Sequence, residues 1–300
     1  MLDNITGFHI EPTNICMLKC PRCSRTQFID QFGIQKWKNQ EIDLESFKQF
    51  FDIDLTDKRF ELRGNDGDPI YYSSLIPMVQ WIKEQGATVA ITTNGSYKKE
   101  SFWLELSSVL NEQDIITFAV DGTPDNFTQY RVNADWESTE LAMRIMSASS
   151  ALTKWKYIPF SFNEDTIDEA KVISQTLGIK EFYLDPSDRW SGQNDPLHPK
   201  LTTGRREVSI VNWQKSTKIQ IDPACTTKHN HHYISAAGYY MPCCFVGDYR
   251  FYYKSEFYKN REQYNISKTT INKVLNNTQE FYSTLEKSPR DYCTFNCPKL

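Results

Sequence analysis

A chain of 300 residues is long enough for one large core with an appendage, or for two modest domains. With 24% charged and 14% aromatic residues it reads as packed and globular, which excludes a disordered chain. The net charge of −4 argues against general attraction to nucleic acid or to an anionic membrane, leaving only a local basic groove open.

Met1–Asn4 carries no basic segment followed by an apolar run, so no secretory signal is read there. No apolar stretch reaches the roughly 20 residues that a membrane-crossing helix needs. The expectation is a cytoplasmic protein with no membrane partner. Its eight cysteines should then stay reduced, and those that cluster are better metal ligands than disulfide partners.

In chain order, short runs rich in β-branched or aromatic residues predict strands over Thr6–Glu11, Arg59–Arg63, Thr88–Thr92, Ile115–Val120, Tyr157–Phe162 and Glu181–Leu184. Helical spacing lies between them. Leu75, Met78, Val79 and Ile82 form one stripe, ended by Gly86; Trp103, Leu106, Val109 and Leu110 form another. Leu141, Ile145, Met146 and Ser149 make a third; Ile167, Ala170, Ile173 and Leu177 make a fourth, stopped by Gly178. Strands alternating with helices imply parallel strands joined by right-handed crossovers. Six such units suggest an α/β fold, a partial (β/α)6 TIM-like barrel, with a doubly wound sheet as the alternative.

Residues 191–216 read as a connector between a core over 1–190 and a small C-terminal α+β extension over 217–300. That extension is expected to hold strands at Lys218–Ile221 and Tyr233–Ala236, a helix near Thr278–Leu285, and cysteines on which its order depends. Tyr249–Tyr264 mixes Arg250, Lys254, Lys259 and Arg261 with aromatics. A solvated face over a small aromatic core is the favoured reading, and a surface that stacks nucleic acid is the other. No internal repeat or low-complexity tract is present.

Cys16, Cys20 and Cys23 give C-x3-C-x2-C. Three thiolates so close can wrap one face of an iron–sulfur cube, which usually takes four cysteines, and one iron would keep an open position. A structural zinc site is the competing reading, and it would want a nearby fourth ligand; His9 is the one histidine in reach, and it equally suits a core or barrel-lining place.

The run Glu11-Pro12-Thr13-Asn14-Ile15-Cys16, continuing to Cys23, resembles the cluster loop of radical S-adenosylmethionine (SAM) enzymes, with Arg22 where an aromatic is usual. Asp66-Gly67-Asp68-Pro69 resembles the family's GGEP element, though an ordinary turn fits those residues too. Thr93-Asn94-Gly95 matches its TNG, and Ala119-Val120-Asp121-Gly122 is similar to its S-x-D-G. The resemblance spans residues 8–185. It implies that Cys16, Cys20 and Cys23 hold a [4Fe–4S] cluster and that Asp66, Gly67, Asp68, Thr93, Asn94, Asp121, Arg131 and Asn163 bind SAM. In that set Asp66–Asp68 take the methionine ammonium, Arg131 the carboxylate, and Asp121 and Asn163 the ribose. Capping or turn formation for Asp121 and a surface salt bridge for Arg131 are the alternatives.

The second cysteine group, Cys225, Cys243, Cys293 and Cys297, suits a fully ligated cluster or a zinc site. It resembles the auxiliary-cluster extensions called SPASM and twitch domains, which implies a second [4Fe–4S] cluster. Cys244 is left over, either as a small core residue or as a hydrogen-atom donor to a substrate radical, since adjacent side chains diverge. His229, His231 and His232 would substitute as ligands for zinc and otherwise sit at the surface. The resemblance further implies reductive cleavage of SAM to a 5′-deoxyadenosyl radical, sensitivity to oxygen, and an electron donor such as flavodoxin or ferredoxin. The substrate it favours is a peptide or protein (epimerised, crosslinked or oxidised), then a nucleoside, RNA or small metabolite. A non-catalytic zinc or Fe–S binding protein is the reading from another class.

Overall fold

The computed structural model describes residues 5–185, 187, 194–201, 221–223, 225, 232–285 and 287–297. Strands run β1 (Gly7–Ile10), β2 (Arg59–Leu62), β3 (Thr88–Thr93), β4 (Ile115–Ala119), β5 (Leu152–Tyr157), β6 (Glu181–Leu184), β7 (His232–Ile234) and β8 (Tyr240–Met241). The first six helices are α1 (Ser24–Phe32), α2 (Leu44–Phe50), α3 (Leu75–Glu84), α4 (Glu100–Val109), α5 (Trp136–Ser147) and α6 (Ile167–Thr176). Five short ones follow: α7 (Tyr249–Tyr252), α8 (Glu256–Lys259), α9 (Ile271–Asn277), α10 (Gln279–Thr284) and α11 (Asp291–Asn296). None is long and apolar enough to cross a membrane among the described residues.

The chain divides into two compact units. One gathers 5–15, 38–88 and the described residues from 221 onward; the other gathers 16–37 and 89–201.

In the first unit β1 lies parallel between β2 and β7, with His9 level with both Glu61 and Tyr233, and β8 runs antiparallel to β7. The two faces of this sheet differ. Phe8, Ile10, Phe60, Leu62 and Ile234 are buried, and Phe8 and Phe60 meet the rings of Phe47 and Phe51 at and after α2. The other set, His9, Glu61 and Tyr233, is polar. Parallel sheets are ordinarily apolar on both faces, so this polar face is a departure from the usual pattern. Asp43 starts α2 by accepting from Ser46 N–H at 2.8 Å.

The second unit holds β3, β4, β5 and β6, paired in parallel in that order. Crossover helices α4, α5 and α6 connect them, as the alternation of strands and helices implies. Asp114 is fully buried and ties the entry of β3 to the turn before β4, accepting from Val89 N–H at 2.8 Å and Asn111 N–H at 2.9 Å.

Three expectations need correction. The fifth strand is Leu152–Tyr157 and not Tyr157–Phe162. Thr153, Trp155 and Tyr157 point inward, while Lys154 and Lys156 pair with Glu181 and Asp185 at 2.6 and 3.4 Å. This is period-two alternation with cationic outer positions, hidden by two lysines in a short window. The apolar run after it, broken by Pro159 with no N–H to give a ladder, packs as a buried loop. The buried face of α5 is Thr139, Ala142, Met143 and Met146, rotated from the stripe expected through Leu141 and Ile145. His232 is not a surface residue: it is buried in β7 with Nδ1 bonded to Tyr240 Oη at 2.8 Å. His229, His231 and most of the strand expected at Lys218–Ile221 lie outside the described residues.

Candidate cofactor site

In the second unit, the loop leading into α1 carries Cys16, Cys20 and Cys23. Lys19 N–H donates to Val132 O at 2.9 Å and Cys23 N–H to Cys20 O at 3.1 Å, which folds the loop back on itself. Leu18 and Cys20 are buried with Tyr130, Ile158 and Phe160, and Cys16 and Cys23 pack against this apolar set. An apolar shell around sulfur ligands limits water access and sets the local dielectric.

Two polar side chains reach the sulfurs. Asn94 donates its Nδ2–H to Cys16 Sγ at 3.7 Å, and Arg131 its Nη1–H to Cys20 Sγ at 3.9 Å. Asn94 is itself set by a turn: its Oδ1 accepts from Ser96 N–H at 3.0 Å, and Thr93 Oγ1 accepts from Gly95 N–H at 3.0 Å. Donors aimed at sulfur suit thiolates, which accept hydrogen bonds far better than thiols.

Asp121, Arg131 and Asn163 come together. Asp121 is 0% exposed; it accepts from Arg131 Nε–H at 2.7 Å and from Ile158 N–H at 2.8 Å. Asn163 is buried too, donating to Asp121 O and Ile158 O at 3.1 Å and accepting from Phe160 N–H at 2.6 Å. These two side chains therefore brace the buried loop after β5. Burial opposes the Arg131 charge, yet Asp121 and Cys20 outweigh it and hold the guanidinium firmly protonated. Arg22 forms an ion pair with the buried Asp195. Nothing in the sequence pattern marks Asp195 as that partner.

In the first unit, the loop after β2 carries Asn65, Asp66, Gly67 and Asp68. Its backbone donors are spent inward. Asp66 and Gly67 N–H donate to Glu11 Oε1 at 2.7 and 3.1 Å, and Asp68 N–H donates to Ile15 O at 2.9 Å. Asp68 is buried and accepts from Ile70 N–H at 3.2 Å, capping the turn Pro69–Tyr71. Asp66 stays half-buried. Gly67 is required by close approach, since a Cβ there would lie 2.0 Å from Thr13 O. Glu11 is only 2% exposed, and its Oε2 accepts from Tyr233 Oη–H. Burial pushes its carboxyl above the ordinary range, against the pull of Tyr233 and the backbone donors. Glu11 and Tyr233 hold this loop, and sequence reasoning gave neither a role; a carboxylate at the end of a buried strand was the available signal for Glu11.

Also in the first unit, Cys243 is pushed well above its ordinary value by burial and then by Cys244, Cys225 and Cys293. Cys293 is pushed up to about 11, mainly by burial, with Cys297 adding repulsion. Cys225, Cys243, Cys293 and Cys297 thus share one electrostatic neighbourhood. Cys244 has different neighbours: burial raises its thiol to about 11, Arg63 opposes that, and Glu11 and Glu61 add to it. Among the described residues, no three His, Cys, Asp or Glu side chains converge at the spacing of a single metal ion. Cysteines that each bind a different iron of a cube are not required to converge on one point.

No known family model matches the sequence. Over 120 residues the chain is 26% identical to the tungsten-containing aldehyde ferredoxin oxidoreductase cofactor-modifying protein of Pyrococcus furiosus; the match covers 39% of this chain and 31% of that protein. This chain therefore spans about a third of the length of that curated relative. Its fold is similar to that of SuiB from Streptococcus suis bound to S-adenosylmethionine, at 10% identity and a TM-score of 0.58, over 88% of this chain and 67% of that one. It is also similar to native anSMEcpe with bound AdoMet, at 14% identity and a TM-score of 0.59, over 97% and 89% of the two chains. Further structures hold SuiB with its precursor peptide SuiA and anSMEcpe with the Kp18Cys peptide. At these identities the likeness shows the fold alone: a mixed α/β architecture built on a largely parallel sheet, as in a partial TIM-like barrel.

Proposed function

We propose that this chain is a radical SAM enzyme acting on a peptide or protein. The observation that carries the reading is the C-x3-C-x2-C loop, whose Cys16 and Cys20 sulfurs receive N–H donors from Asn94 and Arg131 within an apolar shell. That donor set fits a cluster held by three thiolates. Likeness of fold to proteins solved with SAM supports it.

In this reading residues 1–190 form the core and 217–300 the auxiliary extension, joined by 191–216. Cys16, Cys20 and Cys23 hold the [4Fe–4S] cluster, and Cys225, Cys243, Cys293 and Cys297 hold an auxiliary one. When bound, the first cluster would supply the electron for reductive cleavage of SAM, and so the radical chemistry that takes a hydrogen atom from substrate. Asn94 and Arg131 stabilise negative charge on the sulfurs. The loop at Asp66–Gly67, its amide donors already occupied, offers acceptors to the SAM ammonium. Leu18, Tyr130, Ile158 and Phe160 keep water from the sulfurs. Cys244 lies beside Cys243 and also neighbours Arg63, Glu61 and Glu11; outside the four-cysteine set, it is the thiol assigned to give a hydrogen atom to a substrate radical. Electrons come from a flavodoxin or ferredoxin.

A peptide substrate is preferred because both SAM-bound proteins of similar fold were also solved with peptides. The name of the Pyrococcus relative favours a small cofactor as the second reading. The test is anaerobic reconstitution followed by metal analysis and SAM turnover with deuterated peptides. About eight irons per chain and deuterium in 5′-deoxyadenosine support the proposal. Zinc with little iron, or a cluster whose spectrum SAM leaves unchanged, refutes it.

A further inference from the structure

We propose that Glu11 and Tyr233 form a positioning pair that fixes the 65–68 loop for SAM, and so make SAM affinity depend on the C-terminal strand β7. The inference rests on the proposed function and adds to it a role for two residues to which the resemblance assigns none.

The argument begins with register. β1 and β7 are parallel with His9 beside Tyr233 and Ile10 beside Ile234, and Glu11 N–H continues the pairing to Ile234 O at 2.9 Å. Side chains two apart on a strand share a face, so Glu11 follows His9 onto the polar face, where the Tyr233 hydroxyl donates to it. An ionised carboxylate has about four acceptor sites. Here Oε1 takes the amides of Asp66 and Gly67 and Oε2 takes the phenol, so one side chain joins the loop to β7.

A second bond makes the same connection independently. Asn65 Nδ2–H donates to Cys244 O at 2.9 Å. The loop is thus held at Asn65 by the Cys244 backbone, at Asp66 and Gly67 by Glu11, and at Asp68 by Ile15, the residue before Cys16. Gly67 packs so closely on Thr13 that the loop has no room to shift toward it. With Oε1 shared by two amides and Oε2 held by the phenol, losing the phenol leaves the side chain free to reorient and loosens both amides.

The test uses full-length protein carrying Tyr233→Phe or Glu11→Gln, with Thr278→Val as a comparison. Thr278 loses a buried hydroxyl bond to Val274 O at 3.0 Å without touching the loop. In the metal-free protein, amide hydrogen exchange at 65–68 should quicken for Tyr233→Phe and Glu11→Gln alone. After reconstitution, those two variants should bind SAM about tenfold more weakly and show a matching rise in KM for uncoupled 5′-deoxyadenosine formation, with kcat and iron content within twofold of the parent. Unchanged exchange or SAM affinity in folded Tyr233→Phe overturns the proposal, as does an equal loss for Thr278→Val. If the parent protein binds no SAM, the functional reading falls, whereas the exchange experiment still decides whether the pair holds the loop.

Discussion

Cys16, Cys20 and Cys23 come from eight consecutive residues and lie among apolar side chains, with the amide of Asn94 and the guanidinium of Arg131 reaching two of the sulfurs. Cys225, Cys243, Cys293 and Cys297 come from three distant stretches, and burial together with neighbouring thiols discourages ionisation of Cys243 and Cys293. Local chain geometry prepares the first group for charged sulfur. On the proposed function, the second would gain most from a cation that offsets repulsion between its thiolates, and metal binding would be coupled to folding there. Similar ligands can therefore be supported in opposite ways, by donors already aimed or by a charge still to be supplied.

The largest effect that separates the two groups should come from removing the ligands themselves. Replacing Cys16, Cys20 and Cys23 by alanine is expected to abolish reductive SAM cleavage, whereas Cys225→Ala should keep uncoupled cleavage and lose product. Assaying 5′-deoxyadenosine and product side by side tests this, and cleavage surviving in the triple variant would erase the contrast. Next comes Arg131→Ala. The Arg131 side chain is 16% exposed and that of Asp121 is 0%, so the change strands a buried carboxylate and should cost about 3–5 kcal/mol in denaturant unfolding. Asn94→Ala removes one donor to sulfur and should lower activity about 10–100-fold with the fold intact, measured as turnover against iron retained. The smallest effect belongs away from both groups. Asp43→Ala should cost about 1 kcal/mol by uncapping α2. Ser46 holds that carboxyl below its ordinary value, so its contribution is present at neutral pH and is lost as the pH falls through the folded-state value. Chemical denaturation at two pH values checks the sign.

Much of the α/β order was legible because strand and helix periods report on burial. β6 matches its expected bounds, β1 to β4 lie within a residue or two of theirs, and the α3 stripe of Leu75, Met78, Val79 and Ile82 is fully buried. β5 was not legible, since lysines on its outer positions look like loop residues until their partners Glu181 and Asp185 are known. The nearness of Cys16 and Asn94 could be expected from motif order alone. The partners of Asp121 and Asn163 could not, because a side chain's exposure depends on loops that fold over it. The bond between Glu11 and Tyr233 spans 222 positions and leaves no local trace.

The parallel pairing of β1 with β7 has a consequence for synthesis. The strand at residues 7–10 has one side occupied once β2 emerges, but its other side waits for residues 232–234. Throughout that interval a nascent chain carries an open ladder of amide and carbonyl groups flanked by Phe8 and Ile10, a template for pairing with other chains. Ribosome-released fragments ending short of residue 232 should therefore aggregate, and the cell's chaperones would meet this protein mainly between the emergence of β2 and that of β7.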